Sequence, residues 1–316
     1  MKRIQNEIAE SGLTLPVVAA LAAILWIAKG GIAHQWWPQL ACFALTVYLI
    51  VELSNSNALL RIRSRMVSMV FIVLSCTASF LFHSIAGNVL QLCLVASLLF
   101  WFQSYQDDKA AGKVYYAFLF YGIASLCHAQ LLWLLPVLWV LMGTQLQALN
   151  GRLLLASLLG VATPYWIVVP VVLIFDPWPQ LGFQPEAHVQ ALLSFMNMTE
   201  AYATWTVNRV AVVAFVTVLL GMSIFHFWTN SFEDKIRIRL LYGLFTVMSL
   251  LSIIALLLQP QHYDMLIRMV FIYSSPLIGH YFALTSGKTT NYVFLTACGL
   301  ALALIIFNLW MPSLNF

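Results

Sequence analysis

The chain has 316 residues, of which 62% are hydrophobic and only 8% charged, with a formal net charge of +4 and a mean hydropathy of +0.89. A soluble domain carries about 25% charged residues, and no soluble core of this length hides so much apolar surface, so a water-soluble globular fold is excluded. The cations stand in short clusters beside apolar runs, as membrane orientation requires, which argues against nucleic acid as a partner.

In lipid every backbone polar group bonds internally, which leaves helices or a closed barrel. Barrel strands alternate over about ten residues. Here the apolar runs are long and continuous, as in Val17 to Ile27 or Leu295 to Phe307. The expectation is therefore an all-α, polytopic transmembrane helix bundle forming one integral membrane domain over 1–316.

The opening MKRIQNEIAESG is polar and too long for the n-region of a typical signal peptide, and no small-residue cleavage site follows the next apolar run. Ile4, Ile8 and Leu13 suit a short amphipathic lead-in before a retained first helix. Spanning segments are expected at about 13–28, 38–54, 66–83, 88–104, 115–127, 130–147, 153–175, 207–228, 240–258, 265–285 and 290–311, roughly eleven in all. Lys109 and Lys113 before residues 115–147, and Arg152 after them, should share a side. That region then crosses an even number of times, as a central hairpin turning near His128, with short arms of about 20–27 Å. Between 175 and 205 lies a long loop without Lys or Arg. Pro185 suits the first turn of a helix there, and Val189, Leu192, Leu193, Phe195 and Met196 give it one apolar side. An interfacial helix is expected at 185–198.

Orientation follows from the basic residues. With the N-terminus inside, twelve of the fifteen Lys and Arg fall on inner loops, and only Lys29, Arg209 and Arg268 lie outside. That bias places the N-terminus in the cytoplasm of a bacterial inner membrane, and an odd helix count puts the C-terminus in the periplasm. Two short inner segments resemble each other once a one-residue gap is allowed: NSNALLRIR (55–63) and NSFEDKIRIR (230–239) each enter an apolar helix, six helices apart. Same-side entry at that spacing reads as a parallel repeat, of helices entered at 55–65 and 230–239, or as two loops that independently obey the orientation rule.

Polar residues in such a chain are candidate site residues. His262, Asp264 and Arg268 open the tenth segment, with Asp264 and Arg268 four apart and able to pair. Arg209 opens the eighth on the same outer side, and His280 lies further along the tenth. Two arginines placed against the orientation rule suit an anion, because guanidinium forks phosphate. Arg209, Arg268, His262 and Asp264 are thus candidate ligands for a phosphate-bearing substrate, and Asp264 or Glu186 the candidate catalytic base if there is chemistry. The bland alternative pairs Arg268 with Asp264 and lets Arg209 snorkel to the interface. Glu52 is placed to pair with the Arg61–Arg65 cluster. His83, Asn88, Gln91, His128, Gln130 and His226 read as packing or interface residues. The five cysteines lie in apolar runs without CxxC spacing, the histidines show no HExxH, and neither a Walker A nor a GxSxG motif occurs. No metal or cofactor is expected.

The stretch AFLFYGIASLCHAQLLWLLPVLWVLM (117–142), followed by RLLLASLLGVATPYWIVVPVVLIF (152–175), combines a Gly-containing short helix, a polar turn, a Leu/Pro-rich helix and an internal Pro-Tyr-Trp. This patterning resembles an uncharacterised family of multi-spanning Gram-negative inner-membrane proteins and, over the same 60 or so residues, the type C polyprenyl-phosphate-sugar-dependent glycosyltransferases. The second resemblance implies a polyprenyl-phosphate-linked lipid as partner and an acidic catalytic residue in the first outer loop. Here that loop, KGGIAHQWWPQ (29–39), has no Asp or Glu, so no catalytic residue carries over. Three functions fit: handling of a lipid-linked anionic substrate in envelope polysaccharide or glycolipid biogenesis, a transporter or flippase, or a non-catalytic assembly subunit of a membrane complex.

Overall fold

The computed structural model describes residues 3–175, 185–193, 202 and 205–310. The protein is an all-α, polytopic helical bundle, with thirteen α-helices and no strand among the described residues. In chain order these are α1 (Ile4–Glu10), α2 (Thr14–Ala28), α3 (Trp37–Ser56), α4 (Met66–Thr77), α5 (Ile85–Phe102), α6 (Ala111–Cys127), α7 (Leu135–Thr144), α8 (Gly151–Phe175), α9 (Pro185–Leu193), α10 (Val207–Asn230), α11 (Ile236–Leu258), α12 (Tyr263–Leu284) and α13 (Lys288–Trp310). Among the described residues, α3, α5, α8, α10, α11 and α13 are long and apolar enough to cross a bilayer. This is an integral, multi-pass membrane protein in contact with lipid. The short α1 meets α2 at 91°, as an amphipathic lead-in would. Residues 176–184 and 194–201 of the long loop, and with them the far end of the expected 185–198 helix, lie outside the described residues.

The chain divides into two compact units, Met1–Ile85 with Asn197–Phe316, and Ala86–Met196. The first is built around α12, which packs against α4, α10 and α11. Nineteen of its 22 residues are buried, so it is covered on all sides by protein, as a helix without a solvent or lipid face must be. Pro276 stands inside it and cannot donate to the Ile272 carbonyl; the Ser275 hydroxyl does so instead at 3.2 Å. Gly279 lets α12 approach α4 closely, since a Cβ there would stand 2.8 Å from Val67 Cα. At the far end Gln5 of α1, itself buried, donates to Phe282 O at 2.7 Å and to Thr285 Oγ1 at 2.9 Å.

The structure differs from the expected continuous helix over 66–83. α4 stops at Thr77, after about 18 Å of rise. Ala78 leaves helical geometry (φ −111°, ψ 48°), and a 3-10 turn, Ser79–Leu81, follows. A helix end buried here needs donors for its carbonyls. Asn308 Nδ2 supplies one to Thr77 O at 2.6 Å, and the Thr77 hydroxyl supplies one to Leu74 O at 2.6 Å. Arg268 Nη2 donates to Leu81 O.

The second unit is the expected hairpin and its surroundings. Its arms are α6 and a 3-10 segment, Ala129–Leu134, that runs into α7, with the reversal at an extended His128. α6 packs on α8 with the backbones nearly in contact. A Cβ on Gly160 would lie 2.6 Å from Tyr115 O, and one on Gly122 would lie 2.9 Å from Val161 O. Small residues at such a seam are what close helix packing in lipid requires. α9 docks on the hairpin turn through Gln130 Nε2 to Ala191 O at 3.0 Å and Trp133 Nε1 to Leu192 O at 3.2 Å.

Candidate functional site

The sequence-predicted residues are brought together only in part. Asp264, in the first turn of α12, takes Arg209 of α10 as its ion-pair partner at 3.3 Å, both side chains being partly exposed. The Arg209 guanidinium also lies 5.0 Å above the Tyr263 ring, and the Tyr263 hydroxyl donates to Arg209 O at 3.1 Å. Trp205 closes the cluster, edge-on to Tyr263 at 5.6 Å. Arg209 is therefore held by a carboxylate and an aromatic face. His262 ends the preceding 3-10 turn Pro260–His262. Burial lowers its pKa below the ordinary histidine value. Glu186 falls in the first turn of α9, its side chain outside the described part of the structure.

Arg268 sits apart in character. It is 3% exposed, and a guanidinium N–H is spent on the Leu81 carbonyl at the break after α4. In this role it replaces the helical hydrogen bonds that α4 lost by ending early. The arrangement predicts a moderate effect for Arg268→Met. An apolar chain of similar length fills the space and Leu81 O keeps the Ser84 N–H at 3.2 Å, so the loss is that of one hydrogen bond from a charged donor, about 1.5 kcal/mol, to be read from thermal unfolding in detergent.

A second cluster, at the end of the first unit where α3 joins α4 and α10 joins α11, was not singled out from sequence. Asp234 lies just before α11 with its side chain 1% exposed. His280 Nε2, equally buried, stands 3.0 Å from Asp234 Oδ2. Arg61 Nε stands 2.9 Å from Asp234 Oδ1, close enough for charge pairing though not aligned for a hydrogen bond, and Arg61 Nη1 bonds Glu233 at 2.7 Å. Arg61 thus serves Asp234 and Glu233 rather than Glu52. Tyr242 packs edge-on against the His280 ring at 4.7 Å and donates to Leu59 O at 3.2 Å. His226 of α10 lies 6.4 Å from His280, ring to ring.

These contacts join the two look-alike loops to each other. Arg61 of the first reaches Glu233 of the second, and Arg237 of the second donates to Asn57 of the first at 2.9 Å. Each loop therefore offers one arginine to the other. The sequence signal for this cluster was present in the Glu233-Asp234 pair, the Arg-Ile-Arg runs and a histidine inside an apolar helix. What was missing was any sign that they meet.

In the second unit a groove of about 560 Å³ is lined by Leu132, Val161, Ala162, Tyr165, Trp166, Val169 and Pro170. Tyr165 and Trp166 belong to the Pro-Tyr-Trp run noted in the sequence. The Tyr165 hydroxyl sits between Ser125 Oγ at 2.8 Å and His188 Nε2 of α9 at 3.0 Å. Burial lowers the His188 pKa as well. Among the described residues no group of three or more His, Cys, Asp or Glu side chains is placed to hold a metal ion. No protein-family model, no curated protein and no solved structure matches the chain.

Proposed function

We propose that the protein is a carrier of a bacterial inner membrane, with its N-terminus in the cytoplasm and its C-terminus in the periplasm, in which the paired loops 55–65 and 230–239 act as a cytoplasmic clasp between two related helix pairs, α3–α4 and α10–α11. The observation that carries this reading is the mutual engagement of the two look-alike loops through Arg61–Glu233 and Arg237–Asn57, which a parallel repeat would bring together. The discontinuous α4 and the ionisable residues buried on α12 support it, since polar groups at membrane depth face protein or a water-filled path.

Alternating access tests it without knowledge of the substrate. Ser249 of α11 and Ser274 of α12 lie fully buried near the middles of their helices. With the native cysteines replaced, Ser249→Cys and Ser274→Cys react with a membrane-impermeant maleimide added to either face of oriented vesicles, if the protein is a carrier. A disulfide between Asn57→Cys and Arg237→Cys then abolishes labelling from the clasp side alone. Failure to label from either face sinks the reading and favours a non-catalytic assembly subunit.

The groove in the second unit favours a further reading, in which the protein handles a lipid-linked, phosphate-bearing substrate such as a polyprenyl-phosphate carrier. Its lining is apolar, as a prenyl chain needs, and the Ser125–Tyr165–His188 relay stands at one wall.

A further inference from the structure

Loops 55–65 and 230–239 carry six cations against two carboxylates. They form one surface, since Arg61 bonds Glu233, Arg237 donates to Asn57 and the Tyr242 hydroxyl donates to Leu59 O at 3.2 Å. These contacts divide the cations by use. Arg61 is engaged by Glu233 and Asp234, and Arg237 by Asn57. Arg63, Arg65, Lys235 and Arg239 are exposed, and none of them makes a salt bridge among the described residues. Both loop carboxylates are already held, Glu233 by Arg61 and Asp234 by Arg61 and His280. Glu52, on α3 just before the first loop, pairs with none of the four. Arg239 N bonds Lys235 O at 3.0 Å, which puts these two cations one helical turn apart. Like charges so placed repel, and a bound anion relieves the repulsion.

The depth of this surface follows from α10. On its last turns Phe225 and Trp228 are 73% and 71% exposed, three apart and so on one face. Large exposed aromatic side chains near the end of a spanning helix mark the level where acyl chains meet headgroups. Phe232 and Ile236, 72% and 64% exposed, continue this apolar edge into the second loop and the start of α11. Asn230, the last residue of α10, stands about 3 Å beyond Trp228 by helix rise, and the headgroup layer of one leaflet is about 5–8 Å deep. The second loop therefore runs at phosphate depth, and the first loop, bonded to it, shares that depth. Lys and Arg reach phosphate from this level with their stems laid along acyl chains.

We propose that the joined loops bind anionic phospholipid of the adjoining leaflet, with Arg63 and Arg65 on one loop and Lys235 and Arg239 on the other seating two lipid phosphates. They do so whether or not the protein is a carrier. A zwitterionic headgroup brings its own cation and no net charge. An anionic phosphodiester brings net negative charge, and its oxygens accept from both arms of an arginine fork. Basic residues at the membrane surface each add to the attraction for such lipids. The apolar edge of Phe225, Trp228, Phe232 and Ile236 takes the chains that the headgroup carries, which a soluble phosphate lacks.

The test is native mass spectrometry of the full-length protein, titrated in mild detergent with tetraoleoyl cardiolipin, which has two phosphates, and separately with dioleoyl phosphatidylcholine. The first cardiolipin is expected to bind at least about tenfold more tightly. Arg63→Gln, Arg65→Gln, Lys235→Gln and Arg239→Gln together bring the two lipids level. Lys109→Gln, Lys113→Gln and Arg152→Gln together, which remove basic residues of the second unit, leave the preference intact. Glycerol phosphate in large excess, a headgroup without chains, leaves cardiolipin bound. Equal binding of the two lipids by the native protein overturns the proposal, and so does a preference that survives the four substitutions or is lost equally in the second-unit variant. Displacement by glycerol phosphate overturns it as well, since it marks a site for a soluble anion. Should the fourfold variant fail to fold, Arg63→Gln and Lys235→Gln singly are each expected to lower the preference about threefold, and no change in either has the same overturning force.

Discussion

Asp234→Ala lowers the stability of the first unit by about 2–3 kcal/mol, the upper part of the range expected when a buried donor loses its acceptor. The loss does not come from Arg61 in the main. That side chain is 40% exposed, and an exposed ion pair is screened by solvent and is worth at most about 1 kcal/mol. It comes from His280, whose Nε2–H stays buried with nothing to receive it, and from the clasp, which loses its central acceptor. Glu233→Ala is the matched control. Its side chain is 47% exposed and bonds the same arginine, so its expected cost is under about 1 kcal/mol. Denaturant unfolding in mixed detergent micelles separates the two variants, and equal losses would show that the buried pair is not what holds this end of the unit.

Gly160→Val is the second large effect, about 3 kcal/mol, and it falls on the other unit. A Cβ at this position would meet Tyr115 O at 2.6 Å, Phe118 Cβ at 2.9 Å and Leu119 N at 3.0 Å. Two of those three atoms are backbone, so no rotamer change relieves the clash and α6 must move away from α8. Overpacking of a tight seam costs about 1–3 kcal/mol, and rigid neighbours put this site at the upper end. Gly221, within α10, has nothing within 4 Å of its added Cβ. Gly221→Val is therefore expected to change the same unfolding midpoint little, and a similar loss at both positions would remove close packing as the explanation.

Hydropathy, proline and glycine placement made the helices legible, because each of these signals is local. The segment expected at 153–175 is α8, Gly151–Phe175, and the one at 207–228 is α10, Val207–Asn230. The hairpin at 115–147 was legible from a parity argument about Lys109, Lys113 and Arg152 and not from hydropathy. The break after α4 was not legible, since Ser75 to Leu81 reads as ordinary apolar helix. Its cause lies 187 residues away in Arg268 and 231 away in Asn308. Pairings between helices were hidden for the same reason. The i,i+4 spacing of Asp264 and Arg268 points to a local charge interaction, but nothing in it points to Arg209, 55 residues earlier, which Asp264 also engages. Asp234 and His280 are 46 residues apart, and no periodicity on either helix points one at the other. The Arg-Ile-Arg likeness of the two loops was visible, but that the two loops touch, Arg61 on Glu233 and Arg237 on Asn57, is a fact of assembly.

The all-round burial of α12 has a consequence for how the chain enters the membrane. With Asp264, Arg268 and His280 along its length, α12 is not among the six described helices long and apolar enough to cross on their own. Its neighbours α4, α10 and α11 precede it in the chain. During synthesis they are already in the bilayer when α12 emerges, so it can be received into a prepared protein slot instead of into lipid. The gene order of the helices is thus an order of construction, with the least lipid-tolerant segment made after the walls that shelter it.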